Sequence, residues 1–484
     1  MSELIDRFVQ MGAGAGDRPL LHHPASSRRF TAADLAAQAA AAGRALADLR
    51  LPGGALVVTL AANRPAAIPL LLACRQRGLA VLAADRGTTL PEAAALVCDY
   101  GAAALVAPAA MAAVVDAAGS ARALADGLVV IPRTPASSWS SYPGVAILKL
   151  TSGSSGQPKA TRTSDAQLCA DADHIVAAMD IRPRDVQLGV IPISHSYGLG
   201  NLVLPLLLQG TALVLRDGFH PREIGEDARA FGARVWPGVP FMFDHLVAHP
   251  DVGGWPGALE VLISAGAPLS SPTARSFRAV YGRTIHPFYG TSETGGIAYD
   301  DGDEPCDAGT VGHALPEVRI TLRPGVDESE RRVHVASRAV SNGYAAADSG
   351  SFGDGGFLTG DLGRFDARGR LVLTGRVSGF VNVAGRKVHP DEVERVLLEI
   401  DGIREAIVVG IDDPQRGEQL GACLVGSPEA VRPIAVRQFC AARLAPYKIP
   451  RVIVGAAALP RTARGKVDRA AVRGLLRTNT RPEG

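Results

Sequence analysis

Lysine is scarce in this chain: of 50 basic residues only five are lysines, at Lys149, Lys159, Lys387, Lys448 and Lys466. Where arginine is the default cation, a lysine marks a place that needs a compact ammonium. One-sided charge is missing too. The formal net charge is +2 with no basic stripe, so the footprint of a nucleic-acid-binding protein is not present. No apolar run reaches about 18 residues, the length of a membrane span. The six cysteines (Cys74, Cys98, Cys169, Cys306, Cys423, Cys440) are scattered without a Cys-x-x-Cys pair. They read as small buried hydrophobes in a reducing compartment. The start, Met1-Ser2-Glu3-Leu4, lacks the basic opening of a signal peptide, and the expectation is a cytoplasmic protein. What is present is an ordinary globular composition, 47% hydrophobic and 20% charged, over 484 residues. That length leaves room for two or three domains.

Helical and strand patterns alternate from the N-terminus. Thr31-Ala32-Ala33-Asp34 is a helix-start signature before an Ala-rich helix to Leu49. A strand follows at 55–61, a helix at 65–77, a strand at 79–84, a helix at 91–99 and a strand at 103–107. This spacing predicts a mostly parallel, doubly wound α/β sheet. A Pro/Ser-rich loop at 134–143 precedes the apolar run Val145 to Leu148, a buried strand. That strand leads into Thr151-Ser152-Gly153-Ser154-Ser155-Gly156-Gln157-Pro158-Lys159. Glycines let backbone N–H groups crowd round an anion, hydroxyls add rotatable donors, and Lys159 adds a point charge. The stretch suits a polyphosphate, yet it is not a Walker loop, since no Gly-Lys-Ser/Thr closes it.

A helix at 165–179 and a strand at 186–192 lead to Ser194-His195-Ser196-Tyr197-Gly198, where His195 is either a core or a pocket residue. His245 and His249 stand one helical turn apart without the Glu of a protease-type zinc site. The strand at 261–264 runs into Ala265-Gly266-Ala267-Pro268. Phe288-Tyr289-Gly290-Thr291-Ser292-Glu293 repeats the strand, glycine and hydroxyl pattern and adds a carboxylate. A carboxylate beside a phosphate site is a candidate Mg²⁺ ligand, and Tyr289 offers a flat face to a base. Thr359-Gly360-Asp361 follows in a turn-rich, strand-like region. Beyond Thr374-Gly375-Arg376-Val377-Ser378 the pattern shortens into a small α+β unit with strands at 380–383, 406–410 and 452–454 and helices at 390–400 and 431–444. Its tail places Lys466 after Gly465 in a polar loop.

In series, Thr151 to Lys159, Tyr289 to Glu293, Thr359 to Asp361, Gly375-Arg376 and Pro460 to Lys466 resemble the acyl-adenylating superfamily. That superfamily holds acyl-CoA synthetases, aryl-acid ligases and adenylation domains, and the resemblance covers essentially the whole chain. It implies a large N-terminal domain (1–376) of mostly parallel sheets flanked by helices with a β-rich subdomain. A small mobile α+β domain (377–484) would follow. It also implies that ATP and a carboxylic acid give acyl-AMP, from which a thiol displaces AMP. By resemblance, Thr151, Ser152, Gly153, Ser154, Ser155, Gly156 and Lys159 hold the phosphates. Glu293 holds Mg²⁺, and Thr291 touches the α-phosphate. Gly266, Ala267, Pro268, Tyr289 and Gly290 border the adenine, and Asp361 and Arg376 the ribose. Lys466 is the catalytic lysine at the carboxyl–phosphate bridge. His195, Phe241, Ser264, Gly266 and Phe288 bound the acyl pocket. Ser378 stands at the hinge, where the family has Asp or Lys. Asn382 stands where many members have Lys and aryl-acid relatives have Asn. No acidic residue falls between Pro192 and Gly200, which disfavours an amino-acid substrate, because a buried ammonium would lack a partner. The implied partners are an aryl or fatty acid and CoA or an acyl carrier protein. Monomer and homodimer are both open. A non-thiol acceptor, or nucleotide binding without thioester chemistry, are the alternatives.

Overall fold

The computed structural model describes residues 2–85, 87–111, 120–133, 139–151, 159–250, 258–304, 306, 309–324, 331–345, 350–377, 381–383, 386–413, 417–444, 446–462 and 467–479. Helices begin where the sequence offers caps. Thr31 and Asp34 form a reciprocal capping box on the helix Ala32–Ala47, as do Thr89 and Glu92 on Leu90–Asp99 and Ser164 and Gln167 on Asp165–Ala178. Each box satisfies two backbone donors that a helix start leaves open.

Two sheets build the large N-terminal part. The first has seven strands. At its centre Ala104–Pro108, Leu56–Thr59, Ala80–Ala83 and Ile147–Thr151 run parallel. Their near-continuous apolar sequences suit strands buried on both faces. An edge was not foreseen: Lys159–Thr163 pairs antiparallel with Ile147–Thr151, in a register that sets Thr151 opposite Lys159. Its polar sequence, Lys-Ala-Thr-Arg-Thr, hides a strand in which Thr161 and Thr163 are nevertheless buried. The second sheet starts parallel, through Leu21–His23, Ala212–Leu215, Val186–Gly189, Val235–Gly238, Val261–Ser264 and Ile285–Thr291. From Gly295–Tyr299 onward it turns antiparallel and carries the β-rich region out to Arg319–Pro324. The small C-terminal part is a five-stranded sheet with helices Pro390–Leu398, Pro433–Ala441 and Arg469–Thr478. Its long strand Gly417–Gly426 and its last helix escaped the sequence reading.

Cys98 departs from the expectation for cysteines. It is exposed, whereas the other five are buried; it sits on the outer side of the half-exposed helix Leu90–Asp99. Among the described residues no helix is long and apolar enough to cross a membrane.

A buried ion pair locks the first sheet to the helix behind it. Arg75 donates from Nε and Nη2 to both Asp165 carboxylate oxygens at 3.0 Å, and from Nη1 to the Leu79 and Val145 carbonyls. The pair ties the entry of Ala80–Ala83, the approach to Ile147–Thr151 and the start of Asp165–Ala178. Breaking such a pair strands a buried charge. Arg75→Ala should therefore cost about 3–5 kcal/mol, read as a lower urea midpoint, while Arg75→Met with Asp165→Leu should recover most of it. A wild-type midpoint for Arg75→Ala would contradict this account.

Candidate active site

Parallel strands of the two sheets end close together, since Ser292 after Ile285–Thr291 bonds both the Leu150 carbonyl and Ser196, and this makes one strand-end region of the kind where open α/β sheets bind ligands. The turn between Ile285–Thr291 and Gly295–Tyr299 stands in it. Its geometry demands glycine. A Cβ on Gly290 would lie 2.7 Å from the Gly295 carbonyl, and Gly295 itself has φ +70°. Polar contacts hold the turn from several sides. Thr161 donates to the Ser292 carbonyl (3.3 Å), and Ser196 donates to the Ser292 hydroxyl (2.8 Å). The Ser341 N–H donates to the Glu293 carbonyl at 2.8 Å. The Tyr344 hydroxyl donates to Glu293 Oε1 at 2.9 Å, and the Lys159 ammonium lies over the Tyr344 ring, 5.2 Å from its centre. Thr291 and Thr294 share a hydroxyl bond of 3.1 Å.

Under the turn lies a charge pattern that sequence reasoning missed. Asp171 Oδ1 accepts the Gly296 N–H at 2.8 Å, and a Cβ on Gly295 would sit 2.2 Å from the same oxygen. Lys149 is 5% exposed. Burial pushes its pKa down, and the Asp171 and Glu293 carboxylates pull it back up. Burial raises Asp171, opposed by Lys149. The available signal was a rare lysine inside an apolar strand.

On the neighbouring wall Asp361, 5% exposed, receives two bonds of 2.6 Å. One comes from the Tyr289 hydroxyl to Oδ2 and one from Arg376 Nε to Oδ1. Asp361 and Arg376 face each other across adjacent strands. The Asp361 charge raises the Arg376 guanidinium pKa. Burial, then the Asp361 charge, raises the Tyr289 phenol well above its usual value. Gly266 adopts φ +82° at the end of Val261–Ser264, and it, Ala267, Pro268 and Gly290 are exposed.

The pocket residues come from adjacent strand ends. Ser264 pairs with Gly238 on one side and Pro287 on the other, is 2% exposed, and its hydroxyl has no partner among the described residues. Phe288 follows Pro287 and is 8% exposed. Tyr197 packs 5.9 Å from the Phe288 ring and donates to the Gly238 and Ile263 carbonyls. Phe241, on the helix Pro240–Ala248, meets Phe219 edge-on. Arg461 of the small domain lies 5.9 Å from the Phe241 ring centre and pairs with Glu405. Beside them burial raises Asp244 to about 6.

The segment after Val186–Gly189 is not a strand, as the sequence suggested, but a loop pinned by Asn63. This side chain donates to the Ile191 and Arg216 carbonyls and accepts from Ile193 N–H. The local absence of an acidic residue near His195 also proves misleading. Asp85, from the other sheet, places Oδ1 2.7 Å from His195 Nε2. His245 and His249 stack on each other at 4.4 Å. Ser152, Gly153, Ser154, Ser155, Gly156, Ser378 and Lys466 lie outside the described residues, the first five bracketed by the Thr151–Lys159 pair.

The chain is 34% identical to triostin synthetase I of Streptomyces triostinicus over 352 residues, 69% of this chain and 66% of that protein. Over this match the chain spans just under two thirds of the relative's length. It is 27% identical to feruloyl-CoA synthase of Amycolatopsis sp over 463 residues, covering 92% and 93% of the two chains. ATP-bound MatB from Rhodopseudomonas palustris superposes with a TM-score of 0.84 at 25% identity, over 97% of this chain and 98% of that one. The amide bond synthetase McbA from Marinactinospora thermotolerans gives 0.83 at 26%, over 98% and 99%. Residues 392–466 match the AMP-binding enzyme C-terminal domain, and residues 8–344 match the AMP-binding enzyme family. The chain belongs to that family of adenylate-forming, acyl-CoA-synthetase-like ligases.

Proposed function

We propose that the protein activates an aryl or fatty carboxylic acid with ATP and passes the acyl group to a thiol, CoA or a carrier-protein phosphopantetheine. The observation that carries this reading is the pair of bonds that commits Asp361 to Tyr289 and Arg376 beside the Thr291–Glu293 turn. Asp361 is an acceptor for ribose hydroxyls, tied through Tyr289 to the strand whose end carries the hydroxyls suited to phosphate. The acid's carboxylate oxygen attacks the α-phosphorus, and pyrophosphate leaves. The thiol sulfur then attacks the acyl carbon, and AMP leaves.

Tyr289, Gly266, Ala267, Pro268 and Gly290 border the base, and Thr291 meets the α-phosphate. Thr151, Ser152, Gly153, Ser154, Ser155, Gly156 and Lys159 hold the outer phosphates. Glu293 fits a hard cation: Oε1 takes the Tyr344 hydroxyl, and among the described residues Oε2 has no partner. Glu293 would hold Mg²⁺, which supplies positive charge against the triphosphate. His195, Phe241, Ser264 and Phe288 border the acyl group. Asp85 takes His195 and Ser194 on Oδ1, so an amino acid's ammonium would have to compete with the imidazole for this carboxylate. Residues 1–376 form the adenylating domain and 377–484 a small domain that turns about Ser378 to bring Lys466 in for the first step only. The likeness to an amide bond synthetase supports a second reading, adenylation followed by transfer to an amine.

With a panel of aryl, medium-chain and long-chain acids, ATP–pyrophosphate exchange should exceed that with amino acids; a best substrate bearing a free α-amino group would reject the pocket reading. Glu293→Gln should weaken exchange strongly, and full activity in excess chelator would sink the magnesium assignment. Lys466→Ala should lower acyl-AMP formation by about 10²–10³ and spare thioester formation from supplied acyl-AMP. Ser378→Pro should do the reverse by fixing φ at the hinge. Equal losses in both steps for Lys466→Ala would rule out the division of labour.

A further inference from the structure

We infer that Asp85 and His195 form a carboxylate–imidazole dyad that takes the proton from the acceptor thiol, an assignment that rests on the acyl-transfer reading above. His195 is set by its backbone. Asn63 pins the preceding residues through the Ile191 carbonyl and the Ile193 N–H. Leu199 N–H donates to the His195 carbonyl at 2.8 Å. Gly198 packs against the Pro192 carbonyl so tightly that a Cβ would lie 2.2 Å from it. The backbone that carries the ring is therefore fixed, and the ring itself is oriented by Asp85.

The ring's partner fixes its proton. Asp85 is 8% exposed and stands just past the strand Ala80–Ala83, with Oδ1 2.7 Å from His195 Nε2 and 3.4 Å from the Ser194 hydroxyl. A carboxylate only accepts, so Nε2 carries the hydrogen and Nδ1 of the neutral ring keeps its lone pair. Among the described residues nothing bonds Nδ1, and the His195 side chain is 41% exposed. A structural histidine looks different: His286 is half-buried and its Nδ1 meets the Asp300 carbonyl. The dyad spans the two sheets at the crevice. The next residue, Ser196, bonds Ser292 at 2.8 Å, so the ring stands beside the turn that carries Thr291, where the acyl phosphate would lie.

Near neutral pH a thiol with a pKa of about 8.5 is mostly protonated and a poor nucleophile. The dyad supplies what is missing. The S–H proton passes to Nδ1 while the sulfur lone pair forms the bond to the acyl carbon. The acyl carbon–oxygen bond to phosphate then breaks, and AMP leaves with the pair. The Asp85 charge stabilises the imidazolium until solvent takes the proton. Asp85 is thus a positioning residue, and His195 touches the acceptor.

The test captures acyl-AMP made in situ with either CoA or hydroxylamine, whose neutral nitrogen needs no base. The readout is the ratio of thioester to hydroxamate formed by each variant. Asp85→Asn should lower this ratio by roughly tenfold or more and His195→Ala by about 10²-fold. Both deficits should shrink with an aromatic thiol that is already ionised at the assay pH. A ratio equal to wild type in both variants, or a deficit indifferent to thiol acidity, would overturn the dyad while leaving adenylation standing. No hydroxamate from the wild-type protein with any acid would overturn the acyl-transfer reading itself, and the dyad with it.

Discussion

The constraint on which the site depends is the tight reversal between Ile285–Thr291 and Gly295–Tyr299. Two parallel sheets end at the same crevice, and neither alone carries the full set of groups. The reversal joins them. Ser292 bonds Ser196, on the helical turn that follows the second sheet's strand Val186–Gly189, and the Leu150 carbonyl of the first sheet, while Thr161 of the first reaches back to Ser292. Each bond is worth only about 1 kcal/mol net. Their value lies in direction: in a partly dry crevice an unpaired group is costly, so the turn has one satisfied arrangement.

The charges beneath this turn follow the same logic. Lys149 and Asp171 are both buried, and the charge of each partly opposes the shift that burial imposes on the other. Such a pair contributes little net stability against an apolar replacement. Its position, under Glu293 and Gly296, makes it a support for the polar turn above it.

How much of this could be read beforehand depends on how local each signal was. The helix at Ala32–Ala47 announces itself through Thr31 and Asp34, three residues apart, and the strand at Ile147–Thr151 through its own apolar run. Tyr289, Asp361 and Arg376 were found because they sit in short motifs, although nothing in those motifs says that two of them bond the third. Asp85, Asn63 and Tyr344 were missed for the opposite reason. Each lies in an unremarked stretch and gains its meaning only when folding brings it against His195, Ile193 or Glu293. Lys159–Thr163 was missed because its polar side chains mask a pairing that the preceding strand imposes.

The approach of Asp171 to Gly295 has a consequence for how such a chain can vary over time. The carboxylate occupies the volume that any side chain at 295 would need. The two positions are therefore not independent characters. A lineage that trades the aspartate for a small apolar residue becomes free to lose the glycine, and one that keeps the aspartate is not. Lys149, left with a buried charge and one fewer counter-ion, would be expected to change in the same lineages. Three sites far apart in sequence would then be inherited as a block, and their joint presence or absence would divide relatives by how they fill the space under the turn.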